Sequence, residues 1–352
     1  MDDRPPYPPA SPADAAHGTP PVDPLFALTS GLWASQALVA AEAVGLFTFL
    51  SQEGGAGAAE TAEGLGIPAR PAEMLLTACA SLDLLRRDGE RYVNSPVAEE
   101  YLVRGRPYYF GDYVRMLQHY VYPGWMRVTD AVRTGRPTRQ APEPDKGLFE
   151  AENRPELFWD GLYPLSALTG RALARAVDFG AGRLLDVGGG GGAFAVELCR
   201  YHPGLRATVY DLPHVCAFTA DRIAEAGLSE RIGVHPGDFF ADPELPGGHD
   251  TILLSMILHD WDEPRNRELL AACFRALPSG GTLVISELLV DDDKTGPADA
   301  ALMSLNMLIG TPGRNYTAAE YGQWLRAAGF DGVRTVPFRA PGANGAVLAR
   351  KP

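Results

Sequence analysis

The sequence predicts an α/β protein with a doubly wound, Rossmann-like parallel sheet in its C-terminal part and a mostly helical N-terminal part. The sheet is predicted by short apolar segments near residues 183, 207, 232, 252 and 282 that alternate with helical segments. Five glycines, Gly188 to Gly192, follow the first of these segments. The helical part is predicted by residues 25–50, where apolar side chains occupy nearly every face of a helix.

The glycine run marks a strand, a tight turn and a helix over Arg183 to Glu197. Glycine adopts positive φ and lets the backbone approach a ligand closely, and a helix N-terminus offers free N–H groups to that ligand. A nucleotide-like cofactor is therefore the first hypothesis. The alternative is a tight turn with a purely structural role, which one or two glycines would satisfy.

An acid at the end of the second strand agrees with the cofactor hypothesis. Asp211 lies 19 residues after Gly192, which suits a carboxylate that accepts hydrogen bonds from two ribose hydroxyls. The same spacing fits NAD. A dehydrogenase is disfavoured because the glycine run lacks a clear G-x-G-x-x-G/A register, which Ala195 matches only loosely.

Four motifs in a fixed order carry a family resemblance. They are DVGGGGG at residues 186–192, YDLP at 210–213, GDFF at 237–240 and LHDWDE at 258–263. Their order and intervals resemble the S-adenosylmethionine-dependent small-molecule O-methyltransferases of plants and actinobacteria, which include caffeate, acetylserotonin and polyketide-tailoring enzymes. The resemblance covers the chain from about Leu25. It implies a class I methyltransferase domain of secondary metabolism or antibiotic biosynthesis that uses S-adenosyl-L-methionine and releases S-adenosyl-L-homocysteine.

The resemblance also implies which residues hold the cofactor. Its methionine end is expected at the glycine turn, its ribose at the end of the second strand and its adenine at the end of the third. The expected contacts are Gly188 and Gly190 for the methionine end, Asp211 and Leu212 for the ribose, Asp238 and Phe239 for the adenine, Ser255 for the carboxylate and Trp261 over the adenosine. Asp186 is expected to fix the glycine turn.

A histidine after the fourth strand is the candidate base. A phenolic acceptor is mostly protonated at pH 7, and histidine has the pKa range to accept its proton. His259 lies where open α/β sheets place their ligands. The resemblance implies that His259 is the general base; a core or capping histidine is the alternative.

Two carboxylates bracket this histidine in the family. Glu287, in the fifth strand, matches one of them, whereas Asn315, in the segment GRNYT, stands at the position of the other. An amide can hold the ring but adds no negative charge, so His259 is expected to be a weaker base than in the usual pattern. A second reaction therefore stays open, the C-methylation of an activated ring carbon ortho to a phenol.

The acceptor is expected to be a small aromatic molecule. Aromatic residues are dense between Tyr108 and Trp125 and again near residue 160, and such side chains form flat, polarizable walls. Packing in the core is the alternative for most of them. The candidates for the acceptor site are Met116, His119, Trp159, Tyr163, Met256, Met303, Asn306 and Met307.

Three segments are predicted along the chain. Residues 1–24 are proline-rich and are expected to be disordered. Residues 25–156 form a helical domain whose helices precede a small hairpin, as in a winged helix, and the resemblance implies that it joins two subunits into a homodimer. Residues 157–352 form the S-adenosylmethionine-binding catalytic domain. A winged-helix regulator that senses the cofactor is a rival hypothesis.

Composition and charge argue against several other classes. A formal net charge of −13 disfavours binding to nucleic acid. No uninterrupted apolar stretch has the length of a membrane span, and no signal peptide is recognisable. The four cysteines lack C-x-x-C spacing, which predicts buried thiols of a cytoplasmic protein. Asp291, Asp292 and Asp293 are interpreted as a solvated loop, so no metal is expected.

Overall fold

A computed structural model of the protein describes residues 20–138 and 156–352. They form two compact units, of which one ends at Arg115 and the other begins at Met116. The predicted disordered tail lies outside the described residues as far as residue 19, and its last two residues begin the first helix. The domain boundary at residues 156 and 157 stays a prediction.

The first unit contains helices followed by a hairpin, in the order that the sequence predicts. Its elements are α1 (Asp23–Ala43), α2 (Leu46–Gln52), α3 (Ala58–Leu65), α4 (Ala69–Ser81), β1 (Leu85–Asp88), β2 (Arg91–Asn94) and α5 (Pro96–Tyr101). Gly45 lies between α1 and α2 with a φ of +77°, a left-handed conformation that ends the first helix and that residues with a Cβ rarely adopt. The assignment of this unit as a winged helix stays a prediction.

Helix α1 exposes apolar side chains along most of its length. Leu28 is 78% exposed and Trp33 is 67% exposed. Among the described helices, α1 is also long and apolar enough to cross a membrane, with a mean hydropathy of 1.2. An apolar composition of this kind is also found in a helix whose apolar face is buried against a second subunit.

The second unit begins with short helices and continues as alternating strands and helices. Its helices are α6 (Gly111–Met116, which starts in the first unit), α7 (Tyr122–Trp125), α8 (Val128–Thr134), α9 (Glu156–Ala176), α10 (Ala193–Tyr201), α11 (Pro213–Glu225), α12 (Glu263–Ala276), α13 (Ala298–Leu308) and α14 (Ala318–Ala327). A π-helical turn, Leu117–Val121, joins α6 to α7, and a 3₁₀ turn, Leu258–Asp260, precedes α12. The strands are β3 (Arg183–Val187), β4 (Arg206–Asp211), β5 (Ile232–Pro236), β6 (Thr251–Ser255), β7 (Thr282–Glu287), β8 (Asp331–Pro337) and β9 (Gly345–Arg350).

Seven strands form one sheet in the order β5-β4-β3-β6-β7-β9-β8. The strands β3 to β7 are parallel, whereas β9 runs antiparallel to both of its neighbours. This confirms the predicted doubly wound parallel sheet, to which β9 is added as an antiparallel strand. The carboxyl ends of β3 to β7 therefore lie at one edge, which is where such sheets bind ligands.

Both faces of the sheet are covered, which explains the nearly continuous apolar sequence of its central strands. Leu184 packs on one face with residues of α9 and α10, while Leu185 and Val187 pack on the other with residues of α12 and α14. The four cysteines are buried and free, as predicted.

The exposed face of α1 predicts association through that helix. We expect the double change Leu28→Asp and Trp33→Asp to raise the dissociation constant of a dimer at least tenfold, because each removes apolar area that a partner would bury, roughly 1.5–3 kcal/mol per large side chain. Sedimentation equilibrium measures this constant. Tyr201→Asp, at a side chain that is 53% exposed on α10, is the control. An unchanged dissociation constant in the double variant would place the interface elsewhere.

Candidate active site

Five strand ends supply the candidate site. The predicted residues Asp186, Asp211, Ser255 and Glu287 lie in the last two positions of β3, β4, β6 and β7, and Asp238 follows β5 by two residues. Because these strands are parallel, the five side chains come to the same edge of the sheet.

The glycine turn between β3 and α10 is built from backbone conformations that favour glycine. Gly188, Gly190 and Gly192 have φ values of +69°, +53° and +75°. A Cβ on Gly188 would also lie 2.5 Å from Ile257 Cδ1, and one on Gly189 would lie 2.7 Å from Asp186 Oδ2. Glycine is therefore required here both by the turn and by its neighbours.

Asp186 is buried under this turn with 1% of its surface exposed. Burial and the nearby charge of Asp211 raise the pKa of Asp186 to about 7, against a smaller opposite effect of the Ala195 backbone N–H. Asp186 lies directly beside Gly189, but neither of its carboxylate oxygens has a hydrogen-bond partner among the described residues of the turn, so its role in fixing the turn stays a prediction.

Asp211 is held by backbone donors on both carboxylate oxygens. Gly190 N–H donates to Oδ2 at 2.8 Å, and Leu212 N–H donates to Oδ1 at 2.7 Å. Burial raises the pKa of Asp211 to about 6, although both N–H groups oppose this. A carboxylate accepts about four hydrogen bonds, so each oxygen retains capacity for a ribose hydroxyl.

The segment after β5 lies beside Asp211. Gly237 N–H donates to the Asp211 carbonyl at 2.9 Å, and Asp238 Oδ1 accepts from the Phe240 N–H at 2.8 Å. The ring of Trp261 meets those of Phe239 and Phe240 edge to face, with centroids 6.2 and 4.8 Å apart. These partly buried rings form an apolar wall next to the acids, as an adenosine requires.

Ser255 ends β6 with its hydroxyl buried. The residue is 7% exposed, and Oγ has no hydrogen-bond partner among the described residues. A buried hydroxyl without a partner is costly, so its presence at this edge indicates a polar ligand. The glycine turn, Asp211 and Ser255 together fit the cofactor that the resemblance implies.

His259 and Glu287 form a buried pair. His259 Nδ1 lies 2.6 Å from Glu287 Oε2, and the two residues are 7% and 0% exposed. The other oxygen, Oε1, accepts from the N–H groups of Ile257, Leu258 and His259 at 3.0, 3.1 and 3.4 Å. Because Nδ1 is occupied by Glu287, Nε2 is the ring nitrogen left to take a proton from an acceptor.

The charges around His259 make it a stronger base than the free side chain. Burial lowers its pKa, but the charges of Glu287 and of Asp260 together outweigh burial and raise the pKa to about 9. Asp260 Oδ1 lies 3.8 Å from His259 Nε2. Asp260 was missed by the sequence-based prediction although it adjoins His259 in the LHDWDE motif.

Asn315 does not hold the histidine ring. Its Nδ2 donates to the Leu288 carbonyl at 2.8 Å, and its Oδ1 has no partner among the described residues. The predicted hydrogen bond from the His259 ring to Asn315 is not formed. The neighbouring Gly313 instead packs directly on the backbone of His259 and Asp260, where a Cβ would collide with that backbone.

Two predicted acceptor residues lie at the glycine turn. A Cβ on Gly190 would lie 3.5 Å from Trp159 Cζ3, and one on Gly191 would lie 3.2 Å from Tyr163 Cδ2. Helix α9 thus covers the turn with aromatic side chains. These positions suit contact with a cofactor as well as with an acceptor.

The other predicted acceptor residues lie mainly on α13, which packs against the turn that carries His259. Asn306 Oδ1 accepts from Trp125 Nε1 at 2.8 Å, and Asn306 Nδ2 lies 3.6 Å from Met303 Sδ. Trp125 is therefore part of this group, which its place in the aromatic-rich segment could have indicated. Met307 and Met116 are buried, whereas His119 is exposed on the π-helical turn. Their role in acceptor binding stays a prediction.

The side chain of Met256 is partly buried and lies beside Gly342, where a Cβ would be 2.6 Å from Met256 Sδ. The predicted role of Met256 in acceptor binding stays a prediction. As for metals, no cluster of three His, Cys, Asp or Glu residues suited to bind one is found within residues 20–138 and 156–352.

Comparison with known proteins identifies the family. A model of the O-methyltransferase domain matches residues 125–331, and a model of the O-methyltransferase dimerisation domain matches residues 26–104. The chain belongs to the O-methyltransferase family. The match to the dimerisation domain includes most of α1, whose apolar face is exposed in the single chain.

This O-methyltransferase is similar to known proteins over nearly its full length. It is 60% identical to a 3-hydroxy-5-methyl-1-naphthoate 3-O-methyltransferase of Streptomyces sahachiroi, over 96% of this chain and 99% of that one. It is 36% identical to the tetracenomycin polyketide synthesis 8-O-methyltransferase of Streptomyces glaucescens, over 93% and 96%. Human N-acetylserotonin methyltransferase, solved in complex with S-adenosylmethionine, superposes with a TM-score of 0.84 at 30% identity, over 97% and 99%. The predicted fold, enzyme class and methyl donor are confirmed.

The buried pair predicts the pH dependence of this O-methyltransferase. The base must be unprotonated, so kcat/KM should rise about tenfold per pH unit and level off near the pKa of about 9. Glu287→Gln removes the charge that raises this pKa, so the inflection should move to lower pH. Profiles of kcat/KM from pH 5.5 to 10 measure the shift. Glu225→Gln, at a 66% exposed side chain, is the control; an inflection that stays in place in Glu287→Gln contradicts the role of this pair.

Proposed function

We propose that this O-methyltransferase transfers the methyl group of S-adenosylmethionine to the phenolic hydroxyl of a naphthoate-type aromatic acid in a natural-product pathway, with His259 as the base. The observation that carries the proposal is the buried His259–Glu287 pair, which leaves Nε2 as the proton acceptor. The 60% identity to the naphthoate 3-O-methyltransferase supports the acceptor class.

The raised pKa of His259 suits a phenolic acceptor. A phenol has a pKa of about 10. A histidine whose pKa is raised to about 9 accepts this proton at a much smaller free-energy cost than a histidine at its ordinary pKa of 6.5. The charges of Glu287 and Asp260 thus lower the free-energy cost of the proton transfer. The proton leaves the hydroxyl oxygen for Nε2 as that oxygen attacks the methyl group.

The cofactor is proposed to lie across the edge of the sheet. When bound, it supplies an electrophilic methyl group on a sulfonium. Gly188 and Gly190 are proposed to line its methionine end, Ser255 to donate to its carboxylate, Asp211 to accept from its ribose hydroxyls, and Asp238 with Phe239 and Trp261 to hold its adenosine. The hydroxyl of Ser255, which lacks a partner among the described residues, and the acceptor capacity of Asp211 support this placement.

Assembly and location are proposed on separate grounds. The match to the dimerisation domain and the exposed apolar face of α1 support a homodimer. The four buried free thiols support a cytoplasmic location.

Methylation of a ring carbon is not favoured, because the relatives described above are O-methyltransferases.

The acceptor is tested directly. We expect the protein, incubated with 3-hydroxy-5-methyl-1-naphthoate and methyl-¹³C-labelled S-adenosylmethionine, to give a product whose label resonates as a methoxy carbon. The matched control acceptor lacks the 3-hydroxyl and should give no product. Label on a ring carbon would support C-methylation instead. If this naphthoate is not turned over while S-adenosylhomocysteine binds, the acceptor class is wrong and the cofactor site stands.

The cofactor site is tested by binding alone. Asp211→Ala should weaken S-adenosylhomocysteine by roughly 1.5–3 kcal/mol, on the order of ten- to a hundredfold, because it removes charge-assisted hydrogen bonds. Isothermal titration calorimetry measures the affinity. Asp221→Ala, at an exposed acid on α11, is the control. Unchanged affinity in a folded Asp211→Ala variant would exclude Asp211 from the ribose site.

A further inference from the structure

Three consecutive backbone N–H groups point at one carboxylate oxygen. Ile257, Leu258 and His259 all donate to Glu287 Oε1. Successive N–H groups of a regular strand point to opposite sides, so a strand that continued beyond β6 could not make this arrangement. The first N–H groups of a helical turn point the same way, and Ile257 is right-handed and begins the 3₁₀ turn Leu258–Asp260, so these three N–H groups form an anion-binding nest.

Met256 directly precedes this turn and is left-handed. Its φ is +57°, which is uncommon outside glycine, and Ile257 follows in the right-handed region with φ −118° and ψ −49°. Met256 N–H still donates to the Ser286 carbonyl of β7 at 3.0 Å. The chain therefore leaves the sheet at this residue, and the nest begins with the next one.

The side chain of Met256 packs in a small recess at Gly342 and Thr169, called the seat here, and this packing can hold the backbone of Met256. Its Sδ lies so close to Gly342, in the loop between β8 and β9, that a Cβ there would be 2.6 Å from it, and Thr169 Oγ1 of α9 would be 2.9 Å from the same Cβ. Thr169 is fully buried and accepts from the Gly342 N–H at 3.0 Å, so the two sides of the seat are tied together. Packing in this seat offsets the unfavourable φ.

We infer that Met256 is a positioning residue for the catalytic base, and that its left-handed backbone, held by the seat at Gly342 and Thr169, turns the chain so that the nest faces Glu287 and fixes it against His259. The inference rests on the proposed function only where it concerns the base. With Oε1 held by three donors, Oε2 is left to face His259 Nδ1, and the ring has one orientation. Without the nest, the buried carboxylate of Glu287 loses hydrogen-bond donors, and it rotates away or takes up a proton. Burial then lowers the pKa of His259 with less opposition from the charge of Glu287.

The test compares two substitutions that remove the same side chain. Met256→Gly empties the seat but adopts positive φ freely, so the nest stays. Met256→Ala empties the seat and keeps the penalty for positive φ, so the nest relaxes. Both variants lose the packing of Met256. A merely structural role of the side chain would affect them alike.

The readout is the pKa of His259, measured by NMR in protein with ¹⁵N-labelled histidine. The signal is assigned among the seven histidines by its absence in His259→Ala. The groups that bear on this titration are Asp260 on the same turn and Glu287 on β7; Tyr321 of α14 interacts with the charge of Glu287, and Tyr321 in turn with Tyr316, Glu320 and Arg314. None of them is changed in the two variants.

We expect the pKa of His259 to stay within about 0.3 of the wild-type value in Met256→Gly and to fall by about one unit or more in Met256→Ala, with the inflection of kcat/KM moving likewise. A wild-type pKa in Met256→Ala overturns the inference, and so does an equal fall in both variants. If Met256→Ala does not fold, a lowered pKa in Met256→Gly alone overturns it. Full activity in His259→Ala would refute the base and leave the NMR comparison valid.

Discussion

The site depends on a histidine and a glutamate that are paired away from water. Removing one partner of such a pair costs about 3–5 kcal/mol, because the other is left as a buried charge. The chain satisfies both groups: three N–H groups donate to Glu287 Oε1, and His259 Nδ1 faces Oε2. Burial of this pair requires a close cover, and Gly313 provides it because only glycine fits against the backbone of residues 259 and 260.

The same turn connects the base to the cofactor edge. Ile257 donates to Glu287 through its backbone, while its side chain lies so close to Gly188 that a Cβ there would be 2.5 Å from Ile257 Cδ1. The glycine turn in turn bonds to Asp211 through Gly190. A displacement of the glycine turn therefore reaches the base through one packed contact. With the cofactor placed as proposed, this physical continuity holds the methyl donor and the proton acceptor at fixed positions relative to each other.

The sequence predicted the sheet and the cofactor edge because both are encoded locally. Each strand end carries its own motif, and parallel strands bring those motifs together without any further information. The acceptor side is different, since it is assembled from helices that are far apart in the sequence, such as Trp125 of α7 with Asn306 of α13. Nor could periodicity show that Met256 leaves the strand in a left-handed conformation, because the apolar pattern of TILLSMIL continues through it.

The position of the negative charges, rather than their number in a motif, decides how strong the base is. An amide at position 315 suggested a weak base and so left carbon acceptors open. Asn315, however, is bonded to the Leu288 carbonyl, while Asp260 places a carboxylate 3.8 Å from His259 Nε2, the nitrogen that takes the proton. A charge there stabilises the proton after its transfer. With its pKa raised in this way, His259 suits the ordinary phenol of the proposed reaction, which needs neither an unusually acidic hydroxyl nor a carbon nucleophile.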